Sequence, residues 1–264
     1  VAKITMLGQN VNSYGRDLTL KLRGAELTPE SIQLVGEKWV EGPRTARPLF
    51  SDLLCSVAAV SGIRRVRYTS PHPKDFRPET IAAMAQIPEV CEHLHLPLQS
   101  GSDKILAAMH RGYTADRYIQ KVTAARDEIP DLALSTDIIV GFPGETDLDF
   151  ERTLEVAAEV KFDNAYTFVY SPRPGTEAAE SSEQVVDAKT SADRMERLRK
   201  VIQRTSLKGN ESRVGREEEI IVEGHSKRDK KMLTGRTRHN RLVHFPADRV
   251  IRPGSYAQVR VVEA

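Results

Sequence analysis

The chain is poor in cysteine. Only Cys55 and Cys91 occur in 264 residues, too far apart for a Cys-x-x-Cys pair. A disulfide framework is therefore not expected. That fits a reducing, cytoplasmic setting, and both thiols read as small buried hydrophobes. Long apolar runs are missing too. A membrane span needs roughly 20 apolar residues, whereas runs such as Ile138-Ile139-Val140 are short and read as buried strands. No secretory-signal pattern opens the chain, and no membrane partner is expected. The first residue is Val, on a strand-like segment. That start is expected of a piece of a longer protein.

Overall charge is nearly balanced, at +2, but unevenly spread. Between Gly224 and Arg252 lie nine cations (Lys227, Arg228, Lys230, Lys231, Arg236, Arg238, Arg241, Arg249 and Arg252) against Asp229 and Asp248. The tail thus carries +7 and the rest of the chain −5. An acidic body with a basic tail predicts a polyanionic partner at the tail. A solvated charged surface is the plainer alternative.

Strand and helix patterns alternate through the first two-thirds. Lys3–Leu7, Ile63–Thr69, Cys91–Leu98, Leu132–Val140 and Ala165–Tyr170 are apolar or β-branched runs, each closed by turn residues. Helical spacing fills the gaps, with Thr114 and Thr146 as expected N-caps. This order predicts a parallel sheet covered by helices, with ligands at the C-terminal strand ends. The polar segment Ala25–Arg47 reads as an insertion loop. Residues 183–210 read as a connecting helix with Met195, Leu198, Val201 and Ile202 as a narrow apolar stripe. After Gly215 only short strands remain: Glu219–Val222, Leu233–Arg236, Leu242–Phe245 and Tyr256–Val262. That is the pattern of a small β-barrel.

Four segments carry candidate chemistry. In His95-Leu-Pro-Leu-Gln-Ser-Gly-Ser102, Pro97 ends the strand. Gln99, Ser100 and Ser102 then offer polar groups there, and Gly101 permits close backbone approach. An ordinary turn with Ser102 as N-cap is the plain alternative. His93 and His95 share a strand face, where hydrogen bonding is expected rather than metal binding. In Asp137-Ile-Ile-Val-Gly-Phe-Pro-Gly-Glu145, Gly141 and Gly144 open the backbone to a ligand, and Ile139 and Phe142 offer a surface for a flat ring. Asp137, in so apolar a run, should be paired or functional. In Tyr166-Thr-Phe-Val-Tyr-Ser-Pro-Arg-Pro-Gly-Thr176, Arg173 is a candidate anion contact, while Tyr166, Phe168 and Tyr170 read equally as core. In the tail, Lys227, Arg228, Lys230, Lys231, Arg236, Arg238 and Arg241 are candidate phosphate contacts, and His239, His244 and Phe245 candidate stacking groups.

With Leu7-Gly-Gln-Asn-Val-Asn-Ser-Tyr-Gly15, Thr69-Ser-Pro-His-Pro73 and Met109-His-Arg-Gly-Tyr113 added, these motifs resemble, in order, the MiaB-type tRNA methylthiotransferases of the radical-SAM superfamily. The basic tail resembles that family's TRAM domain. The resemblance implies an α/β fold, a partial radical-SAM (β/α) barrel over 1–182. The connecting helix over 183–210 and a small all-β, OB-like TRAM domain over 211–264 would follow. It implies addition of a methylthio group to carbon 2 of isopentenyladenosine beside the tRNA anticodon, using S-adenosylmethionine and 4Fe-4S clusters. It places Gln99, Ser100, Arg111, Asp137, Ile139, Gly141 and Phe142 at S-adenosylmethionine, with Asp137 where the superfamily has glycine. Asn10, Asn12, His72 and Arg173 would face the barrel mouth. The family's Cys-x-x-x-Cys-x-x-Cys motif does not occur. The chain as given is therefore expected to bind no cluster and to be inactive alone. Its parent is expected to be a monomeric cytoplasmic enzyme acting on the tRNA anticodon stem-loop. The ribosomal-protein methylthiotransferases and a non-catalytic RNA-binding module are the competing readings.

Overall fold

A computed structural model describes residues 2–180, 185–246 and 251–264. The chain forms two compact units. The first comprises Val1–Cys91, His95–Pro97 and Gln120–Pro130, and the second the remainder.

The first unit runs β1 (Lys3–Met6), α1 (Arg16–Leu22), α2 (Pro29–Val35), α3 (Glu37–Glu41), α4 (Phe50–Ala58), β2 (Arg65–Tyr68) and α5 (Pro78–Gln86). β1 and β2 pair in parallel, from Lys3 opposite Arg65 to Met6 opposite Tyr68. β2 is buried along its whole length, as a strand covered on both faces should be. Phe50 of α4 meets the Tyr68 ring edge-on at 5.0 Å.

Two expectations for this unit are corrected. The expected loop Ala25–Arg47 instead contains α2 and α3. Thr28 and Ser31 close a reciprocal cap around Pro29 at the start of α2. Val35, Trp39 and Leu49 then form a small core of their own, with the Trp39 indole N–H donating to the Thr45 carbonyl at 2.9 Å. Cys55 is exposed on α4, and only Cys91 is buried.

The second unit continues with β3 (His93–His95), α6 (Asp103–Ala108), α7 (Ala115–Glu128, shared with the first unit), β4 (Ala133–Val140), α8 (Asp147–Val160), β5 (Asn164–Val169), α9 (Glu177–Glu180) and α10 (Ala188–Glu211). The sheet order is β3-β4-β5. β4 and β5 are parallel, from Ser135 opposite Asn164 to Val140 opposite Val169. Thr146 caps α8 through a box with Asp149, and Ser102 caps α6. α10 packs on β5 and α8 and buries Leu198 and Ile202. The expected boundary at 182/183 lies outside the described residues.

The tail is all strand: β6 (Glu217–His225), β7 (Met232–Arg236), β8 (Leu242–Pro246) and β9 (Tyr256–Arg260). They form an antiparallel sheet in the order β8-β7-β6-β9. Its core is Ile220, Val222, Leu233 and Phe245, so Phe245 is a packing residue rather than a stacking one. Among the described residues no helix is long and apolar enough to cross a membrane.

Gly101 sits where α8 crosses the end of β3's turn. A Cβ there would lie 2.6 Å from the Arg152 carbonyl oxygen and 2.6 Å from the Thr153 Cα. Backbone cannot yield as a side-chain tip does. Gly101→Ala should destabilise by about 1–3 kcal/mol, seen as a lower urea midpoint at unchanged slope.

Candidate functional site

The polar turns of the second unit gather at the C-terminal ends of its strands. The Gln99 backbone N–H donates to the Asp137 carbonyl at 2.8 Å, and the Ile139 N–H returns to the Gln99 carbonyl at 2.9 Å. This parallel bridge holds the turn after β3 against β4. Gln99 adopts φ +68, the left-handed region that non-glycine residues avoid, while mostly buried. Such strain concentrates at functional sites because the surrounding structure must enforce it.

β4 has two unlike faces. Thr136, Ile138 and Val140 are completely buried. Asp137 and Ile139, on the other face, are half-buried. Opposite them on β5 stand Tyr166 and Phe168, 53% and 51% exposed. The core reading of these two aromatics is therefore corrected: they line an open sheet face beside Asp137 and Ile139. Tyr170, by contrast, packs edge-on against Phe142 at 5.2 Å. Phe142 is buried behind Gly141, so Ile139 rather than Phe142 lies on the open side. His93 lies within hydrogen-bond distance of the Ser135 hydroxyl, at 3.2 Å.

The other second-unit candidates divide between bracing and availability. Ser100 is buried. Its hydroxyl accepts from the Ser102 N–H at 3.2 Å and lies 3.3 Å from the Thr153 hydroxyl, so it braces the turn. Arg111 is half-buried, and its Nε is enclosed with no hydrogen-bond partner. Arg173 is exposed in the turn after β5. In the first unit the structure brings together Asn10, Asn12 and His72. The buried Asn12 amide makes a reciprocal pair with the His72 backbone, donating to its carbonyl at 3.1 Å and accepting from its N–H at 2.8 Å. Asn10 donates to Asp75 at 2.8 Å.

Sequence reasoning missed the pair that shapes the turn after β4. The Glu145 carboxylate bends back to accept from the Gly141 N–H. Gly141 has φ +74, and a Cβ on it would meet the Ser191 hydroxyl at 2.6 Å. Burial pushes the Glu145 carboxyl above its ordinary range, against the Gly141 N–H and the Arg194 guanidinium, which lower it. Arg194, itself buried on α10, lies 3.4 Å from that carboxylate and 2.7 Å from Asp147. Nothing near Glu145 in the sequence points to an arginine so far downstream.

The basic tail also divides. Lys227, Arg228, Lys230 and Lys231 are all exposed in the loop between β6 and β7. The Ser226 hydroxyl and the Asp229 carboxylate tie down the backbone of this loop. The other three candidates are held in ion pairs: Arg236 with Glu223 at 3.4 Å, Arg238 with Glu92 at 2.7 Å, and Arg241 with Asp163. His239 is not a stacking group. It is enclosed beside Arg213, Asp131 and Glu218, and burial, then Arg213, lower its pKa.

Parallel strands with strained polar turns at their C-terminal ends, followed by a basic all-β module, define an α/β protein with a small β-sheet appendage. The chain belongs to the radical SAM superfamily, whose model matches residues 11–157, and the TRAM domain model matches residues 211–264. It is 46% identical over 264 residues to a tRNA-2-methylthio-N(6)-dimethylallyladenosine synthase of Moorella thermoacetica, covering 100% of this chain and 53% of that protein. It is 44% identical to a synthase of the same name from Mycobacterium marinum (100% and 48%), and 42% identical to that of Carboxydothermus hydrogenoformans (99% and 53%). The chain thus spans about half the length of the curated relatives it matches. Superfamily membership implies S-adenosylmethionine and iron–sulfur chemistry in general terms.

Arg194→Met should cost about 3–5 kcal/mol by stranding buried Glu145, and Glu145→Gln with Arg194→Met should recover much of that loss in urea titrations. Partial burial raises the Asp149 pKa, but hydrogen bonds from Ser102, Thr146 and Lys104 outweigh it and hold the carboxyl far below the usual range. A depressed pKa contributes stability that is present above about pH 4 and lost as pH falls toward the folded-state value. Asp149→Asn should therefore lower stability at neutral pH and flatten its acid decline, read from thermal midpoints between pH 3 and 7.

Proposed function

We propose that the protein is a tRNA methylthiotransferase that adds a methylthio group to carbon 2 of isopentenyladenosine next to the anticodon, by radical S-adenosylmethionine chemistry. The observation that carries this reading is the joint presence of a radical SAM segment and a TRAM segment in one chain. Relatives at 42–46% identity carry the corresponding synthase name.

The residues present suit S-adenosylmethionine. Its flat adenine would lie on Ile139 at the open face, and Asp137 would accept from a ribose hydroxyl or the amine. Arg111, with its enclosed Nε unpartnered, would meet the carboxylate. Gln99 would hold the ribose or amino acid part with its side-chain amide, and Gly141 would present backbone at the strand end, with Ser100 and Phe142 bracing from behind. Asn10, Asn12, His72 and Arg173 would serve the barrel mouth and substrate. When bound, the cofactor supplies the radical that makes an unreactive carbon open to sulfur insertion.

The donors of this chain do not suit an iron–sulfur cluster. Its two cysteines are far apart in sequence, and among the described residues no group of three or more His, Cys, Asp or Glu is placed to hold a metal. The cluster ligands of the working enzyme are therefore assigned outside these residues.

The test is genetic and chemical. Deleting the gene in its host should remove 2-methylthio-isopentenyladenosine from digested tRNA and leave isopentenyladenosine in its place. An unchanged methylthio level would overturn the reading. Within the site, Gln99→Gly relieves the left-handed strain but adds freedom to the unfolded chain. It should stay within about 1 kcal/mol of wild-type stability. Its S-adenosylmethionine affinity, measured calorimetrically on the whole enzyme, should fall roughly tenfold, the weight of one lost interaction.

A further inference from the structure

Three acids stand at the starts of the three parallel strands of the second unit: Glu92 before β3, Asp131 before β4 and Asp163 before β5. Two of them sit within the sheet's own bonding. The Glu92 carbonyl accepts from the Ala133 N–H at 3.0 Å, and the Asp163 carboxylate accepts from the Leu134 N–H at 2.7 Å. All three are met by arginines from the tail. Arg238 reaches Glu92 with two nitrogens, at 2.7 and 2.8 Å. Arg241 binds Asp163 together with the Asn210 side chain. Arg213 binds Asp131 and, at 2.7 Å, Glu218, while Arg216 adds a contact to Asp131 at 3.1 Å.

These arginines are poorly placed to hold a phosphate. The Arg213 and Arg241 side chains are only 7% and 17% exposed. Arg238 spends its planar fork on a carboxylate, the two-point geometry it would otherwise offer to a phosphate. Lys227, Arg228, Lys230 and Lys231 differ on both counts: they are exposed, and among the described residues none makes an ion pair. Arg238 and Arg241 lie at the opposite end of β7 from these four cations. The docked turn 237–241 follows that strand, and the free loop precedes it. Five residues of strand separate them by about 17 Å.

We propose that Arg213, Arg238 and Arg241 are positioning residues that clamp the tail sheet to the starting ends of the parallel strands, leaving the Lys227–Lys231 loop to grip the RNA backbone. The RNA half of this inference rests on the tRNA reading above; the clamp does not. The clamp holds the tail at the end of the sheet opposite the strained turns at Gln99 and Gly141. RNA gripped by the loop therefore arrives in a fixed relation to that site rather than on a swinging arm.

The experiment uses the whole enzyme and a synthetic tRNA anticodon stem-loop as probe, with anisotropy titrations over a range of KCl. Each of Lys230→Ala and Lys231→Ala should reduce the slope of log affinity against log salt by roughly 0.7–0.9. Arg238→Glu should weaken binding roughly tenfold and expose the segment between α10 and β6 to protease. Combined with Glu92→Arg, it should regain both protection and affinity at the wild-type salt slope. A lost slope in Arg238→Glu that Glu92→Arg does not rescue would make Arg238 a phosphate ligand and overturn the proposal. So would full protease protection of Arg238→Glu together with Arg241→Glu. If no variant nor the wild type binds the stem-loop, the tRNA reading fails, and with it the grip assigned to the loop. The protease pattern of the charge swap still decides the clamp.

Discussion

In a parallel sheet every strand starts at the same end, and that constraint organises the second unit. One end collects residues that precede strands, the other residues that follow them. At the first end stand Glu92, Asp131 and Asp163; at the other, the turns around Gln99 and Gly141. A carboxylate beside a strand start would be a liability if enclosed alone. Each finds an arginine, so the acids become attachment points.

The turn ends show the complementary arrangement. Gly141 frees a backbone N–H by its left-handed conformation, and Glu145 consumes it. Burying that carboxylate is costly, and Arg194 from α10 offsets the cost. α10 is thus more than a connector, since the shape of the turn after β4 depends on a cation it carries. The neighbouring open face, with Asp137 and Ile139 facing Tyr166 and Phe168, keeps its polar and apolar groups accessible.

Much of this was legible from residue order. Apolar or β-branched runs closed by turn residues marked all five parallel strands, because a strand with a covered face needs apolar side chains and its end needs a turn. Thr146 and Ser102 announced their helices by capping chemistry. The α2–α3 segment was missed because its apolar positions are few, and Trp39 declares itself only once Val35 and Leu49 close on it. Tyr166 and Phe168 looked like core because hydropathy cannot say whether the facing layer is present. The acid before each strand was a readable signal, a repeat at Glu92, Asp131 and Asp163 tied to the strand starts, but its meaning required the partners.

By itself the sequence determined the alternation of strands and helices, the switch to an all-β tail, the polar strand ends and the excess of positive charge near the end of the chain. These depend on local chemistry: side-chain branching, caps, turn residues and charge count. Tertiary structure alone decided which tail cations are free and which are spent. Arg238 and Lys230 look alike in a charge count, yet one is locked to Glu92 and the other lies exposed. The reason is distance. An ion pair forms between groups within a few ångströms in space, and Arg238 and Glu92 are 146 residues apart along the chain.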